Sequence, residues 1–276
     1  MKRVLTALIL IPLVLVFVFL GPKWQWLFTL AVAVVSMLAS WECMNLAATA
    51  GARPPRIAVL VAIFLLFTGN YFWFQHTAAI VGLLCLLLFT YCTFFHSVDQ
   101  VMVDSMTAVF TLVYTGFAMV ALPVLREQTN GSSLVAFLLC AVWAGDSVAL
   151  YVGKAWGRHK MAPTLSPNKS WEGALGSVAG SLLSTGILIG LSALLQSHDI
   201  AVLTYPEEWW FWLLLAVVVN VAAQAGDLAE SALKRSVGVK DSGTLLPGHG
   251  GVLDRIDALL FAAPVLWYAL VVHQLL

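Results

Sequence analysis

Long apolar runs alternate with short polar breaks along the whole chain. Nine runs of about 17–23 residues, the length that crosses a bilayer as a helix, occupy 4–20, 27–49, 57–74, 78–95, 107–125, 134–152, 173–195, 209–225 and 252–273. The breaks read GPKWQ, GARPPR, QHT, HSVDQVMVDS and REQTNGSS, with two long loops nearer the C-terminus. The predicted fold class is all-α: a polytopic membrane helical bundle of about nine transmembrane helices. In the pair 57–95, Gly69-Asn70 and His76 leave open a re-entrant or strongly tilted arrangement. Trp24, Trp26, Trp209, Trp210 and Trp212 flank run ends, as interfacial anchors do.

Composition strengthens this picture. Of 276 residues, 61% are hydrophobic and 10% are charged, where a soluble domain would carry about a quarter charged. The net charge of zero supplies no overall field for nucleic acid. Cys43, Cys85, Cys92 and Cys140 all fall in apolar runs without a CxxC pair, and read as small buried hydrophobes. Lys2-Arg3 before an apolar run resembles the start of a signal peptide, but no small-residue cleavage site precedes Gly21-Pro22. An uncleaved first helix is expected.

Charge distribution sets the orientation. With a cytoplasmic N-terminus, Lys2, Arg3, Arg53, Arg56, Lys154, Arg158, Lys160, Lys169, Lys234, Arg235 and Lys240 fall inside, and Lys23 and Arg126 outside. Arg255 sits at the start of the last helix, and loop 196–208 has acids but no Lys or Arg. One missing helix would scramble this bias. No internal repeat or long linker appears, so a single integral membrane domain is expected over 1–276. Helices of 1–133 precede the catalytic helices and cytoplasmic loops of 134–276. In the first hundred residues Glu42 is the main ionisable exception within an apolar run, and reads as a paired or protonated carboxyl near the cytoplasmic end of helix 2.

Three charged constellations fall on the cytoplasmic side. Asp146 lies deep in the sixth run, where a carboxylate costs about 2.5–3.5 kcal/mol and so faces a polar cavity or a partner; packing among Ala144, Gly145 and Ser147 is the bland alternative. In the loop GKAWGRHKMAPTLSPNKSWEG, Ser166, Lys169 and Ser170 feed a helix start, a setting that suits a phosphate. Its basic residues alone would only satisfy orientation. The stretch 226–257 carries five acids, Asp227, Glu230, Asp241, Asp254 and Asp257, against four bases, Lys234, Arg235, Lys240 and Arg255. If the eighth helix continues through 236, then Asp227, Glu230, Ser231 and Lys234 share one face. Dense glycines in PGHGG let backbone approach a ligand closely. His249 suits either a phosphate contact, proton transfer or a structural hydrogen bond. Magnesium takes one or two carboxylates plus substrate phosphates, and phosphoryl chemistry asks for Lys/Arg clamps. Asp227 and Asp254 are the candidate ligands, and Lys234, Arg235, Lys240 and Arg255 the clamps.

At these residues the chain resembles the phosphatidate cytidylyltransferases, or CDP-diacylglycerol synthases. The resemblance is carried by Ser231, Lys234, Arg235, Lys240, Asp241, Gly243, Leu246, Pro247, His249, Gly250, Gly251, Asp254, Arg255 and Asp257 at the family's spacing. Asp146, SPNKSWEG and Gly226-Asp227 extend it from about residue 140 onward; Ser170 stands where threonine is more usual, keeping the hydroxyl. The resemblance implies condensation of CTP with phosphatidic acid to CDP-diacylglycerol and pyrophosphate, with Mg2+ and room for a second, monovalent cation. It implies Asp227, Lys234, Arg235, Asp254, Arg255 and Asp257 as catalytic residues. Ser166, Lys169, Ser170, Ser231, Lys240, Asp241, His249, Gly250 and Gly251 would bind substrate. Asp227, Asp254 and Asp146 would serve the metal. A homodimer, membrane lipid as a partner, and a bacterial inner membrane with the site toward the cytoplasm are further expectations. The alternatives are a CDP-alcohol phosphotransferase, whose D-G-x-x-A-R start is not met by Gly226-Asp227, and an ion-coupled transporter, which paired broken helices in two halves would betray.

Overall fold

A computed structural model of the chain describes residues 2–206, 208–245 and 250–275; the side chains of 2–10 and Pro22 lie outside that description. Among the described residues the helices are α1 Lys2–Phe19, α2 Gln25–Thr49, α3 Arg56–Phe72, α4 Thr77–Phe95 and α5 Val101–Glu127. They continue with α6 Gly131–Trp156, α7 Trp171–Gln196, α8 Trp209–Ser236 and α9 Leu253–Leu275. A two-stranded antiparallel hairpin, β1 Lys160–Ala162 and β2 Ser166–Ser170, sits between α6 and α7. Each predicted run is a helix. Among the described residues seven helices, α2 and α4 to α9, are long and apolar enough to cross a membrane. The chain is a polytopic helical membrane protein.

The differences from the sequence reading lie at helix ends. The pair 57–95 forms two separate helices joined by a 3₁₀ turn at Phe74–His76, where Thr77 Oγ1 donates to Asn70 Oδ1 at 2.8 Å. With 17 residues, α3 is about 25 Å long, short of the ~30 Å hydrocarbon core. Helix α8 continues to Ser236, past the expected end at residue 225, because AESALK is built from good helix formers. It stops at Gly238, whose φ is +74°. The Val239 N–H reaches the Lys234 carbonyl and the Gly238 N–H the Arg235 carbonyl, a Schellman ending that a left-handed glycine permits.

The chain forms two compact units, Met1–Pro123 with Leu233–Ile256, and Val124–Ala232 with Asp257–Leu276. In the first, Met44, Ile63, Leu66, Phe67, Leu112 and Met119 are fully buried. Helix α5 widens into a π-turn over Leu112–Phe117, and α2 meets it with hydroxyls. Ser36 Oγ donates to the Thr115 carbonyl at 2.7 Å, and Ser40 Oγ lies 2.6 Å from Thr115 Oγ1. Such partners are what irregular backbone requires in an apolar medium. Asp104 in the first turn of α5 is buried; it accepts the Arg53 N–H at 2.6 Å and faces His96 Nδ1 at 2.5 Å.

In the second unit, α7 buries Gly173, Gly176, Ser177, Gly180 and Ser181, a stripe at helical spacing that brings backbones close. A Cβ on Gly180 would stand 2.7 Å from the Ala144 carbonyl oxygen. Polar contacts join α8 to the same stripe of α7. Asn220 Nδ2 donates to Ser177 Oγ at 2.9 Å and Ser181 Oγ at 2.7 Å, and Gln224 Nε2 donates to Asn220 Oδ1 at 2.6 Å. Tyr205, whose burial pushes its hydroxyl pKa up, donates to the Ser133 carbonyl at 3.2 Å. Gly180→Ala is therefore expected to destabilise the protein by about 1–3 kcal/mol, since backbone must give way. Gly190→Ala, with nothing within 4 Å, serves as the control and should melt in detergent at or above the wild-type temperature.

Candidate active site

In the second unit, the loop after α6 is shaped by its own side chains before any ligand is considered. Glu172, in the first turn of α7, accepts the backbone N–H groups of Arg158 and His159 at 3.2 Å and faces His159 Nδ1 at 2.6 Å. Ser170 caps α7, its hydroxyl accepting the Gly173 N–H at 3.2 Å, the usual service of a serine at that position. Ser170 is buried and Ser166 half-buried. Between them β2 carries Lys169, whose Nζ lies 2.6 Å from Asp227 Oδ2 on α8. This pair is partly exposed: 25% for the lysine side chain and 38% for the aspartate.

The second pair lies in the first unit. Lys234 Nζ donates to Asp254 Oδ1 at 2.6 Å, with side-chain exposures of only 12% and 5%. Asp254 Oδ2 accepts two backbone N–H groups, from Ser242 at 2.9 Å and Gly251 at 2.8 Å. These bonds explain the glycines of the signature. Gly250 has φ +81°, and a Cβ there would stand 2.6 Å from Asp254 Oδ2. A Cβ on Gly251 would collide with Ser242 Oγ and Glu42 Oε2. Arg235 Nη1 donates to the Val239 carbonyl at 3.0 Å, tying the loop to the end of α8.

The remaining candidates divide by position. Lys240, Asp241 and Arg255 are exposed, whereas Ser231 is half-buried. Asp257 is half-buried, and its Oδ1 accepts the Ala258 N–H at 2.8 Å. Asp146 is exposed on α6, beside the buried Gly145. His249, with Leu246 and Pro247, falls outside the described residues. Helix α8 is continuous across Asp227, Glu230, Ser231 and Lys234, so the conditional one-face arrangement holds. Sequence reasoning did not find Glu172 as a loop clamp or Ser242 as a bridge. The signal available was the place of each, a carboxylate opening a helix and a serine inside the signature.

Among the described residues, no three His, Cys, Asp or Glu side chains are placed to hold a metal ion by themselves. Asp227 and Asp254 are each, taken singly, donors of the kind magnesium accepts, since it takes one or two carboxylates and fills its other positions with water and substrate phosphate. Asp227 and Asp254, two of the three proposed ligands, each pair with a lysine, Lys169 and Lys234.

The fold and the site together define a helical membrane protein with two lysine–aspartate pairs, one set in a glycine-shaped loop. The chain belongs to the cytidylyltransferase family, whose model matches residues 1–273. It is 34% identical to the phosphatidate cytidylyltransferase of Haemophilus influenzae over 294 aligned residues, 97% of each chain. It is 31% identical to that of Bacillus subtilis over 278 residues, 98% of this chain and 97% of the relative. Similarity to the phosphatidate cytidylyltransferase of Brucella melitensis is higher, at 43%, but confined to 157 residues, 56% of this chain and about half (54%) of the relative.

Proposed function

We propose that the protein joins CTP to phosphatidic acid, releasing pyrophosphate and leaving CDP-diacylglycerol. The observation that carries the reading is the matched pairing of signature residues, Lys169 with Asp227 and Lys234 with Asp254. Two lysines and two aspartates cancel one another, which keeps the charge tolerable next to apolar helices. Arriving phosphates would give each lysine a second anion to hold, freeing carboxylate oxygen for a cation. Magnesium, when bound, would supply positive charge that offsets the charge gathering on the phosphates. Asp227 and Asp254 would hold it, with Asp146 or Asp257 in support, and a monovalent cation would occupy any second position.

In the reaction, an oxygen of the lipid phosphate attacks the α-phosphorus of CTP in line. The bond to the oxygen bridging the α- and β-phosphorus breaks, and that oxygen leaves with pyrophosphate. The phosphate monoester is anionic near neutral pH, so no side chain has to take its proton. What the protein supplies is position and charge. Lys234, Arg235 and Arg255 would neutralise phosphates, while Lys169 and Ser166 would hold the triphosphate or lipid headgroup. Ser170 would act mainly by capping the helix that presents them. Ser231, Lys240, Asp241, His249, Gly250 and Gly251 would complete the substrate surface. The protein would lie in a bacterial inner membrane as a homodimer, with the site facing the cytoplasm and open to membrane lipid.

The test is direct. Purified protein incubated with CTP labelled at the α-phosphate, phosphatidic acid and magnesium should transfer label into the organic phase. Omission of either phosphatidic acid or magnesium should abolish transfer. Label remaining in the aqueous phase under all conditions would overturn the reading.

A further inference from the structure

The N-terminal helices carry little of the signature, yet one of their residues reaches into the loop that does. Glu42 of α2 is 5% exposed. Its Oε2 accepts Ser242 Oγ at 3.0 Å and the Leu253 N–H at 2.8 Å. Ser242 also donates its backbone N–H to Asp254 Oδ2 at 2.9 Å. One serine therefore links two buried carboxylates, through its hydroxyl to Glu42 and through its amide to Asp254. Leu253, the first residue of α9, ties Glu42 to the residue next to Asp254. All of these residues lie in the first unit.

Two glycines are shaped around the same carboxylate. A Cβ on Gly243 would stand 2.5 Å from Glu42 Oε1, and one on Gly251 would collide with Oε2. The loop closes on Glu42 from both sides, over a sequence separation of about two hundred residues. Placing a carboxylate here is costly unless it is hydrogen-bonded. Its two bonds run to the segment bearing Asp254. A residue retained only for packing of α2 would not need a carboxyl facing that loop.

We propose that Glu42 is a positioning residue for Asp254, setting the signature loop through Ser242 and the first amide of α9. It touches neither substrate nor metal in this reading, which rests on the proposed cytidylyl transfer. Residues that orient a metal ligand typically change metal affinity or activity by about 10–100-fold when lost. Glu42→Ala should therefore lower kcat by ~10–100-fold and raise the magnesium concentration for half-maximal rate, with KM for phosphatidic acid unchanged. Glu42→Gln, whose amide oxygen can still accept both hydrogens, should recover most of the rate. In the Glu42→Ala background, Ser242→Ala should add little further loss, because coupled residues are not additive.

The experiment uses the full-length protein in detergent and pairs the kinetics with hydrogen exchange of segment 237–254. Exchange judges the positioning role independently of turnover. In Glu42→Ala the amides of Ser242, Gly251 and Leu253 should lose protection while those in the middle of α7 keep it. If wild-type protein shows no turnover, the functional reading fails but the exchange result still decides the role of Glu42. Unchanged loop protection would overturn the proposal. So would a wild-type rate and magnesium dependence in Glu42→Ala, or Glu42→Gln as impaired as Glu42→Ala with both proteins folded.

Discussion

Asp227→Asn should abolish turnover and leave the fold intact, whereas Asp254→Asn should abolish turnover and loosen the protein as well. The difference follows from what each carboxylate faces. Asp227 is 38% exposed and meets one lysine, so an asparagine there can turn its oxygen to the ammonium and its amide to water. Asp254 has donors on both oxygens, Lys234 on Oδ1 and two backbone N–H groups on Oδ2. Asparagine offers a single acceptor oxygen, so in either orientation its NH2 is forced against a donor in a site only 5% exposed. The unsatisfied contact should cost about 1–3 kcal/mol. Each variant removes a charge proposed to hold the metal, and the rate should fall at least ~100-fold. Labelled-lipid formation and thermal unfolding in detergent measure the two effects separately. A near-normal rate for Asp227→Asn would remove that aspartate from the metal site; equal melting temperatures for the two variants would contradict the bonding described for Asp254.

How much of this was legible in the sequence depends on the range over which each feature is determined. The helices were readable because apolar length is a local property, and every predicted run is a helix. The ends were less so. The apolar run ends at residue 225 and leaves continuation through 236 a condition, while helix propensity carries α8 on to Ser236. The signature residues Lys234 and Asp254 were identifiable by type, but their pairing to each other was not, since spacing along the chain does not give partners across a loop. Glu42 stands out as an ionisable group in an apolar run, expected to be paired or protonated, and its Oε2 is hydrogen-bonded by Ser242 and Leu253. Its partners lie about two hundred residues away and have no local trace. The PGHGG glycines suggest room for a ligand, but at Gly251, as at Gly243, that room is taken by the Glu42 carboxylate.

Removing the two lysines should separate stability from activity. Lys234→Ala withdraws the ammonium from an aspartate that is nearly fully buried. Breaking such a pair on one side costs about 3–5 kcal/mol, and the two backbone N–H groups that remain on Asp254 place the expectation near 3. Lys169→Ala buries no charge alone, because the Asp227 it leaves behind is 38% exposed to water even though the lysine ammonium is buried, and such a half-exposed pair is worth about 1 kcal/mol. Melting should hardly move. Turnover should nevertheless fall in both, by about 100-fold for Lys169→Ala, because a phosphate clamp matters most where charge develops in the transition state. Thermal unfolding and kcat measured on the same preparations, at low and high salt, make the comparison. A large melting loss in Lys169→Ala would mean that burial does not distinguish the pairs. Full turnover in that variant would reduce Lys169–Asp227 to a surface bridge, leaving the Lys234–Asp254 pair alone to support phosphate chemistry.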